Sequence, residues 1–413
     1  MDALAQVWRD EWGRLLALLV ARYRRLDLAE DALADAFAAA SRWGPSTTPA
    51  NPPAWLLTAA RRRVVDRLRA EAVAARKQPL LAVDAALAEA DQPAAVDPGG
   101  LLVDERLRLI LLCAHPALAP EAATALTLRL VLGLPTVDIA RLFVVTEPAM
   151  AARLTRAKRK IVTAGVPFAV PEEATLTRRL DTVADVVYLA FTAGYAPGAG
   201  PDAVRAELAG EAIRLGRVVR EVVGARPVLD ALLALMLLQH ARRDARTDAH
   251  GGIVLLPDQD RARWRHDEIT EALELLMPLL ETPSPGRAGT YVLQAAIAAE
   301  HAVATTPAAT RWDRIAARYA ELDALTGSPV VRLNRAVAVA EADGAAAGLA
   351  LLAGLDARLP ASHRLPAVRA ELLARLGRIG EARAAFDDAL ARGGNRAEAA
   401  HLRRRREALV GDR

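Results

Sequence analysis

"GLPTVDIARLFVVTEPAMAARLTRAKRKI", residues 133–161, is the stretch whose reading decides the fold. Thr136 is placed to cap a helix running to about Phe143, and "VVT" forms a short turn. Thr146 then caps a second helix, with Glu147 and Pro148 in its first turn, where acids and proline are favoured. Two helices joined by a turn of three or four residues make a helix-turn-helix. The second helix ends in Arg153, Arg156, Lys158, Arg159 and Lys160, with no acid among them. At 3.6 residues per turn, Arg153, Arg156 and Lys160 share one side, while Lys158 and Arg159 point away from it. Contact with the phosphates of a nucleic acid is the reading for the shared side.

A second basic helix lies upstream. "WLLTAARRRVVDRLRAE" (55–71) carries five arginines, and Pro52 and Pro53 start it well. Leu57, Ala60, Val64 and Leu68 form its apolar face, and Arg62, Arg63, Asp66 and Arg69 project mostly elsewhere. Arg61 lies near the stripe and is expected to pack or pair. Before it, residues 4–43 read as helices broken near Leu26 and Asp27, followed by the proline-rich "GPSTTPANPPA" (44–54). After it, residues 72–100 are rich in Ala, Asp and Pro and read as a linker. Two basic helices separated by a flexible linker suit one chain reaching two places on a polyanion.

Composition sets the class. The chain has 413 residues, is 53% hydrophobic and only 4% aromatic, so its cores are built from Ala, Leu and Val. Strand-favouring residues are sparse, and an all-α fold is expected. Formal net charge is only +4 and lysine occurs at three positions, so arginine alone is a weak signal and local clusters carry the argument. The one cysteine, Cys113 in "LRLILLCAHP", excludes an intrachain disulfide and reads as a buried thiol. No signal peptide is predicted, and no apolar stretch is long enough to span a bilayer. A soluble cytoplasmic protein without membrane association is expected.

Downstream of "AGVPFAVP" (164–171), helices are expected to about residue 285, interrupted by "TAGYAPGAGPD" and "RTDAHGGIVLLPDQDRARW". From 290 to 413, Ala370, Ala382, Phe386 and Ala389 fall at the small and aromatic positions of a tetratricopeptide-like unit. Ala336 and Gly348 fit a preceding one, and such repeats run to about 34 residues. In "DQDRARW" (258–264), Asp258, Asp260 and His266 could be drawn as a metal or acid/base site, but the seven histidines show no metal-ligand spacing. The plainer reading is a charged anchor, in which Asp258 and Asp260 pair with Arg261, Arg263 or upstream arginines while Trp264 packs. Asp258, Asp260, Arg261 and Trp264 are therefore candidates for an interdomain or regulatory contact. No catalysis and no cofactor are predicted.

"LAEDALADAFAAASRW" (28–43), "PPAWLLTAARRRVVDRLR" and the helix-turn-helix, in that order, resemble the extracytoplasmic-function group of sigma-70 family factors. "HPALAPEAATALTLRLVLGL" and "MAARLTRAKRKIVTAGVPFAVP" resemble a subgroup with a helical, tetratricopeptide-ended extension, as do "GGIVLLPDQDRARW" and "SPVVRLNRAVAVAEADG". The resemblance implies a region 2 bundle at 1–71, the linker at 72–100, a region 4 helix-turn-helix at 101–170, an extension at 171–289 and repeats at 290–413. It implies that Glu30, Asp31, Asp35 and Phe37 lie in the segment docking on core RNA polymerase, although Phe37 equally suits the core. Arg62, Arg63, Arg67 and Arg69 fall in the part handling the −10 element, and the helix from Thr146, with Arg153, Arg156 and Lys160, corresponds to the −35 reader. Double-stranded promoter DNA, core polymerase and a protein partner for the repeats are the implied partners.

Two departures stand out. Arg62 occupies a position where many members have asparagine. Ala149, Ala151 and Ala152 stand where others carry polar or basic residues, and alanine cannot hydrogen-bond a base edge. Readout of shape and backbone is then expected. A helix-turn-helix regulator with partner-binding repeats is the alternative, but it leaves "AEDALADAF" and the first basic helix unexplained. An enzyme housed in 172–290 is a third reading.

Overall fold

The computed structural model describes residues 3–43, 47–74, 100–143, 145–195, 206–248, 254–393 and 396–409. The fold is all-α, with no β-strand among the described residues. The expected linker falls almost wholly outside them, except that helix continues to Ala74 and resumes at Gly100. The chain divides into two compact units. The first comprises Met1–Leu189 with Val218–Gly224, the second Ala190–Arg217 with Ala225–Arg413.

In the first unit, α1 (Ala3–Tyr23), α2 (Leu26–Ala40) and α3 (Pro52–Ala74) pack together. The Asn51 side chain caps α3 by accepting from the Ala54 N–H at 3.1 Å. Leu57, Ala60 and Val64 are buried as the helical spacing requires, and Leu68 is half-buried. α4 (Gly100–Cys113), α5 (Pro120–Leu130), α6 (Thr136–Phe143) and α7 (Glu147–Thr163) follow. The first part of α8 (Glu173–Tyr195) packs on them: Arg179 donates to the Leu111 carbonyl at 2.5 Å, and burial lowers the Arg179 pKa. α8 runs to Tyr195, so the "TAGY" expected as an interruption is helical.

The two basic segments do not sit on independent bundles. α1 lies against the α5–α6 turn, where Trp8 donates from its indole nitrogen to the Gly133 carbonyl at 2.9 Å. A Cβ on Gly13 would stand 2.2 Å from the Val131 carbonyl oxygen, so glycine is required where these backbones meet. Gly133, at φ +72°, faces the Trp12 ring in the same way. Arg24 donates to the Phe168 carbonyl at 3.0 Å and lies over its ring, tying the α1–α2 turn to the segment after α7.

In the second unit, the end of α8 and most of α9 (Ala206–Val223) precede α10 (Pro227–His240), which is buried nearly all round. Short 3₁₀ turns at Arg243–Ala245, Leu256–Asp258 and Arg261–Arg263 lead to α11 (His266–Leu280), α12 (Gly286–Val303) and α13 (Trp312–Thr326). Then come α14 (Pro329–Ala342), α15 (Ala345–Leu351), α16 (Leu355–Arg358), α17 (Arg364–Arg375), α18 (Ile379–Ala391) and α19 (Arg396–Ala408). α14 packs on α15, and α17 on α18. Ala336 and Ala370 are both fully buried, and so are Ala382, Phe386 and Ala389. Gly348 meets Ala336 and Ala340 so closely that a Cβ would stand 2.5 Å from the Ala336 carbonyl oxygen. Ala336 and Ala370, and Gly348 and Ala382, are each 34 residues apart. Among the described residues no helix is long and apolar enough to cross a membrane.

Candidate nucleic-acid interface

α6 and α7 form the helix-turn-helix. The Val145 N–H donates to the Ala140 carbonyl at 3.0 Å and closes the turn. α7 begins at Glu147 with Pro148 in its first turn, and Thr146 is the N-cap residue. Its side chain makes no capping hydrogen bond, however, so the expected hydroxyl cap is not formed. Met150, Leu154, Ala157 and Ile161 are buried, at spacings of three and four. The opposite face exposes Ala149, Ala151, Ala152, Thr155, Arg156, Arg159 and Lys160. Arg156, Arg159 and Lys160 have no hydrogen-bond or ion-pair partner among the described residues. Arg153 is half-buried, with its guanidinium 5.7 Å from the Phe143 ring. Arg159, expected to point away from the shared side, is exposed beside Arg156.

Lys158 points inward. Its ammonium pairs with the Glu30 carboxylate, which also accepts from Arg129 Nε at 2.7 Å. Glu30 is only 4% exposed. Arg129 lies over the Trp12 ring at 5.6 Å and donates to the Leu134 carbonyl at 3.1 Å. One acid from α2 thus meets two cations, from α5 and α7. Cys113 lies in this environment, and burial first, then the Glu30 charge, push its thiol up. Such a thiol is inert as a nucleophile.

The side chains expected to dock on polymerase separate into two groups. Glu30 turns into the interlock. Phe37 packs at 4.6 Å from Trp8 and is 2% exposed, so it is core. Asp31 and Asp35 are exposed, and both reach Arg67, at 3.3 and 2.8 Å. Sequence spacing held the signal for Glu30: Leu26, Leu33 and Phe37 lie four before and three and seven after it on α2, so the apolar stripe passes through the acid. Lys158 sits likewise four after Leu154 and three before Ile161.

On α3, Arg67 is therefore engaged by acids, and Arg69 lies 3.6 Å from Asp66. Arg62 is exposed without a partner among the described residues, and Arg63 reaches only the Ala59 carbonyl, at 3.4 Å. Arg61 is half-buried with no partner for its Nε, and burial, then the Arg22 charge, lower its pKa. Trp43 and Trp55 meet edge to face at 4.9 Å on either side of the proline-rich segment.

The "DQDRARW" segment is anchored inside the second unit. Asp260 caps its 3₁₀ turn by accepting from the Ala262 N–H at 3.0 Å. Asp258 is exposed, and neither aspartate forms an ion pair among the described residues, so the expected pairing with Arg261 or Arg263 is not made. Arg261 donates instead to the carbonyls of His301 and Ala304, at 2.8 Å each, and lies over Trp264 at 4.5 Å. Trp264 is buried. Among the described residues no group of three or more His, Cys, Asp or Glu is placed to hold a metal ion. The buried polar cluster of this region joins His240 Nδ1 to Glu268 at 2.9 Å and Arg243 to the same carboxylate at 2.9 Å, fastening α10 to α11.

A helix-turn-helix with an unneutralised basic face defines a DNA-binding module. Residues 108–161, which hold it, match the family described as Sigma-70, region 4. Residues 179–279 match a family of unknown function, DUF6596. Uncharacterized protein R00370 of Rhizobium meliloti (strain 1021) is 41% identical over 402 residues, covering 96% of this chain and 93% of that protein; the chain belongs to the same family as this relative. No solved structure matches.

Proposed function

We propose that the chain is an alternative sigma factor of the extracytoplasmic-function group, which directs core RNA polymerase to promoters and does no chemistry itself. The observation that carries this reading is the exposed, unpaired Arg156, Arg159 and Lys160 on the second helix of a sigma-70 region 4. In this reading α7 lies along the −35 element, with Thr146 at its start and Arg153, Arg156 and Lys160 on phosphates. Arg62 and Arg63, with Arg67 and Arg69 once released from their acids, serve the −10 element. Asp31 and Asp35 meet the polymerase, while Glu30 and Phe37 hold the unit together. The alanines at 149, 151 and 152 favour recognition by shape over base-edge bonds. The helix pairs of 329–391 act as tetratricopeptide-like repeats whose grooves offer a surface to a regulatory protein partner.

Run-off transcription with core polymerase on a library of random promoters tests the reading, with Arg156→Ala/Lys160→Ala beside the wild type. Promoter-dependent transcripts are expected from the wild type alone. The double variant should bind matched and scrambled −35 DNA about equally less well, with the log–log salt slope shallower by roughly one for each phosphate no longer neutralised. A loss on the matched sequence only would mean that these residues read bases. Wild-type protein that programs no polymerase would overturn the sigma reading.

A further inference from the structure

The second unit holds a cavity of ≈ 670 Å³ among the 255–261 segment, α12, α13 and α14. Its size falls within the range of small-molecule sites, about 300–1,000 Å³. Three rings line it. His301 and Trp312 meet edge to face at 5.1 Å, and Tyr319, seven residues after Trp312, is on the same side of α13. From α14, Val337 and Glu341 complete the wall.

The charge balance of this cavity is one-sided. Glu341 lines it but is already engaged by Arg375 at 2.5 Å. Arg261 has no carboxylate partner among the described residues. Burial first, and then the charge of Arg242, lower its pKa. His301 adds no acid, because burial, Arg242 and Arg261 hold its pKa at about 4 and the imidazole is neutral at pH 7. Arg261 is also fixed in place, by two bonds from Nη1 to backbone carbonyls and by its stack on Trp264, while its Nε is buried without an acceptor. A guanidinium has five N–H donors, and a fixed one with no counter-ion recognises a carboxylate at little ordering cost.

We propose that this cavity binds a small aromatic carboxylate, its ring against Trp312 and Tyr319 and its anionic group toward Arg261. The site goes beyond the transcription reading and stands independently of it, since it rests on the cavity alone. A cationic ligand would meet Arg261 without compensation, and a wholly apolar one would leave that cation unneutralised.

Titration calorimetry of the full chain tests this with two matched pairs of probes: indole-3-acetate against indole-3-acetamide, and 1-naphthoate against 1-naphthamide. At least one carboxylate should bind at one site per chain, with its amide at least about tenfold weaker. Arg261→Gln should weaken the carboxylate by a similar factor and leave the amide unchanged. Val337→Trp, which fills the cavity from α14, should abolish binding. Asn334→Trp, an exposed position on the same wall, serves if Val337→Trp does not fold. Neither carboxylate saturating the protein, amides binding as tightly as acids, or binding unchanged by the filling substitution would each overturn the proposal.

Discussion

The two units bury charge in opposite ways. In the first, Glu30 is enclosed between Arg129 and Lys158, so the acid and its cations satisfy one another. In the second, Arg261 goes inward without an acid, held only by carbonyls and a tryptophan, beside a neutral histidine and an open cavity. The first arrangement joins α2 to α5 and α7, and the second leaves a polar requirement unmet. Buried charges cost free energy unless compensated, so the closed cluster reads as architecture, while the part-buried Arg261 is the basis of the ligand site proposed above.

The largest effect should come from breaking the closed cluster. Glu30→Ala leaves two cations without their counter-charge and should cost about 3–5 kcal/mol of stability in the first unit. Replacing all three members with apolar residues, as in Glu30→Leu/Arg129→Met/Lys158→Met, should recover most of that loss, because the desolvation cost leaves together with the charges. Urea unfolding of the three proteins checks both statements. A triple variant as unstable as Glu30→Ala would mean that the residues pack in a way their charge does not explain.

Which parts of this were legible in the sequence follows from the range of the interactions. The helix-turn-helix, the start of α3 at Pro52 and the burial of Ala370, Ala382 and Phe386 are set by spacings of three and four and by turn chemistry, all within a few residues. The interlock was not legible in the same way: Glu30 reads as one more surface acid in "LAEDALADAF", and its partners stand 99 and 128 positions away. Its place inside the apolar stripe was visible, but an acid on a stripe reads as exposed until a cation is known to face it. The Arg261 cavity was less legible still, because its walls come from four segments between 255 and 341. The sequence marked "DQDRARW" as an anchor but supplied the wrong partners, aspartates in place of backbone carbonyls.

The open cluster carries a smaller, pH-dependent signature. His301 has its pKa lowered from 6.5 to about 4, by burial first and then by Arg242 and Arg261. The unfolded chain therefore takes up this proton before the folded one does. The stabilising contribution is complete above pH 6.5 and is lost as pH falls from 6.5 toward 4. The loss should reach about 2–3 kcal/mol near the lower end. His301→Phe removes the titrating group, so its stability should fall less than the wild type's between pH 7 and 4.5. Parallel pH dependences in the two proteins would show that His301 is already free to charge.

The smallest effect concerns acids on the same helix as Glu30. Asp31 and Asp35 share Arg67, but both acids are more than half exposed, and surface pairs of this kind contribute roughly 0–1 kcal/mol. Asp31→Lys/Asp35→Lys should therefore leave helix content intact and shift unfolding by no more than about 1 kcal/mol, with like-charge repulsion of Arg67 included. Association with core polymerase should nevertheless weaken clearly in a pull-down titration, because two acids facing a basic surface have become two bases. Glu30→Ala supplies the contrast, since its loss of polymerase binding should track its loss of folded protein. If Asp31→Lys/Asp35→Lys binds polymerase as the wild type does, the acids of α2 serve only to hold Arg67, and the docking surface lies elsewhere on the unit. If it unfolds as readily as Glu30→Ala, the distinction between enclosed and exposed charge on α2 fails.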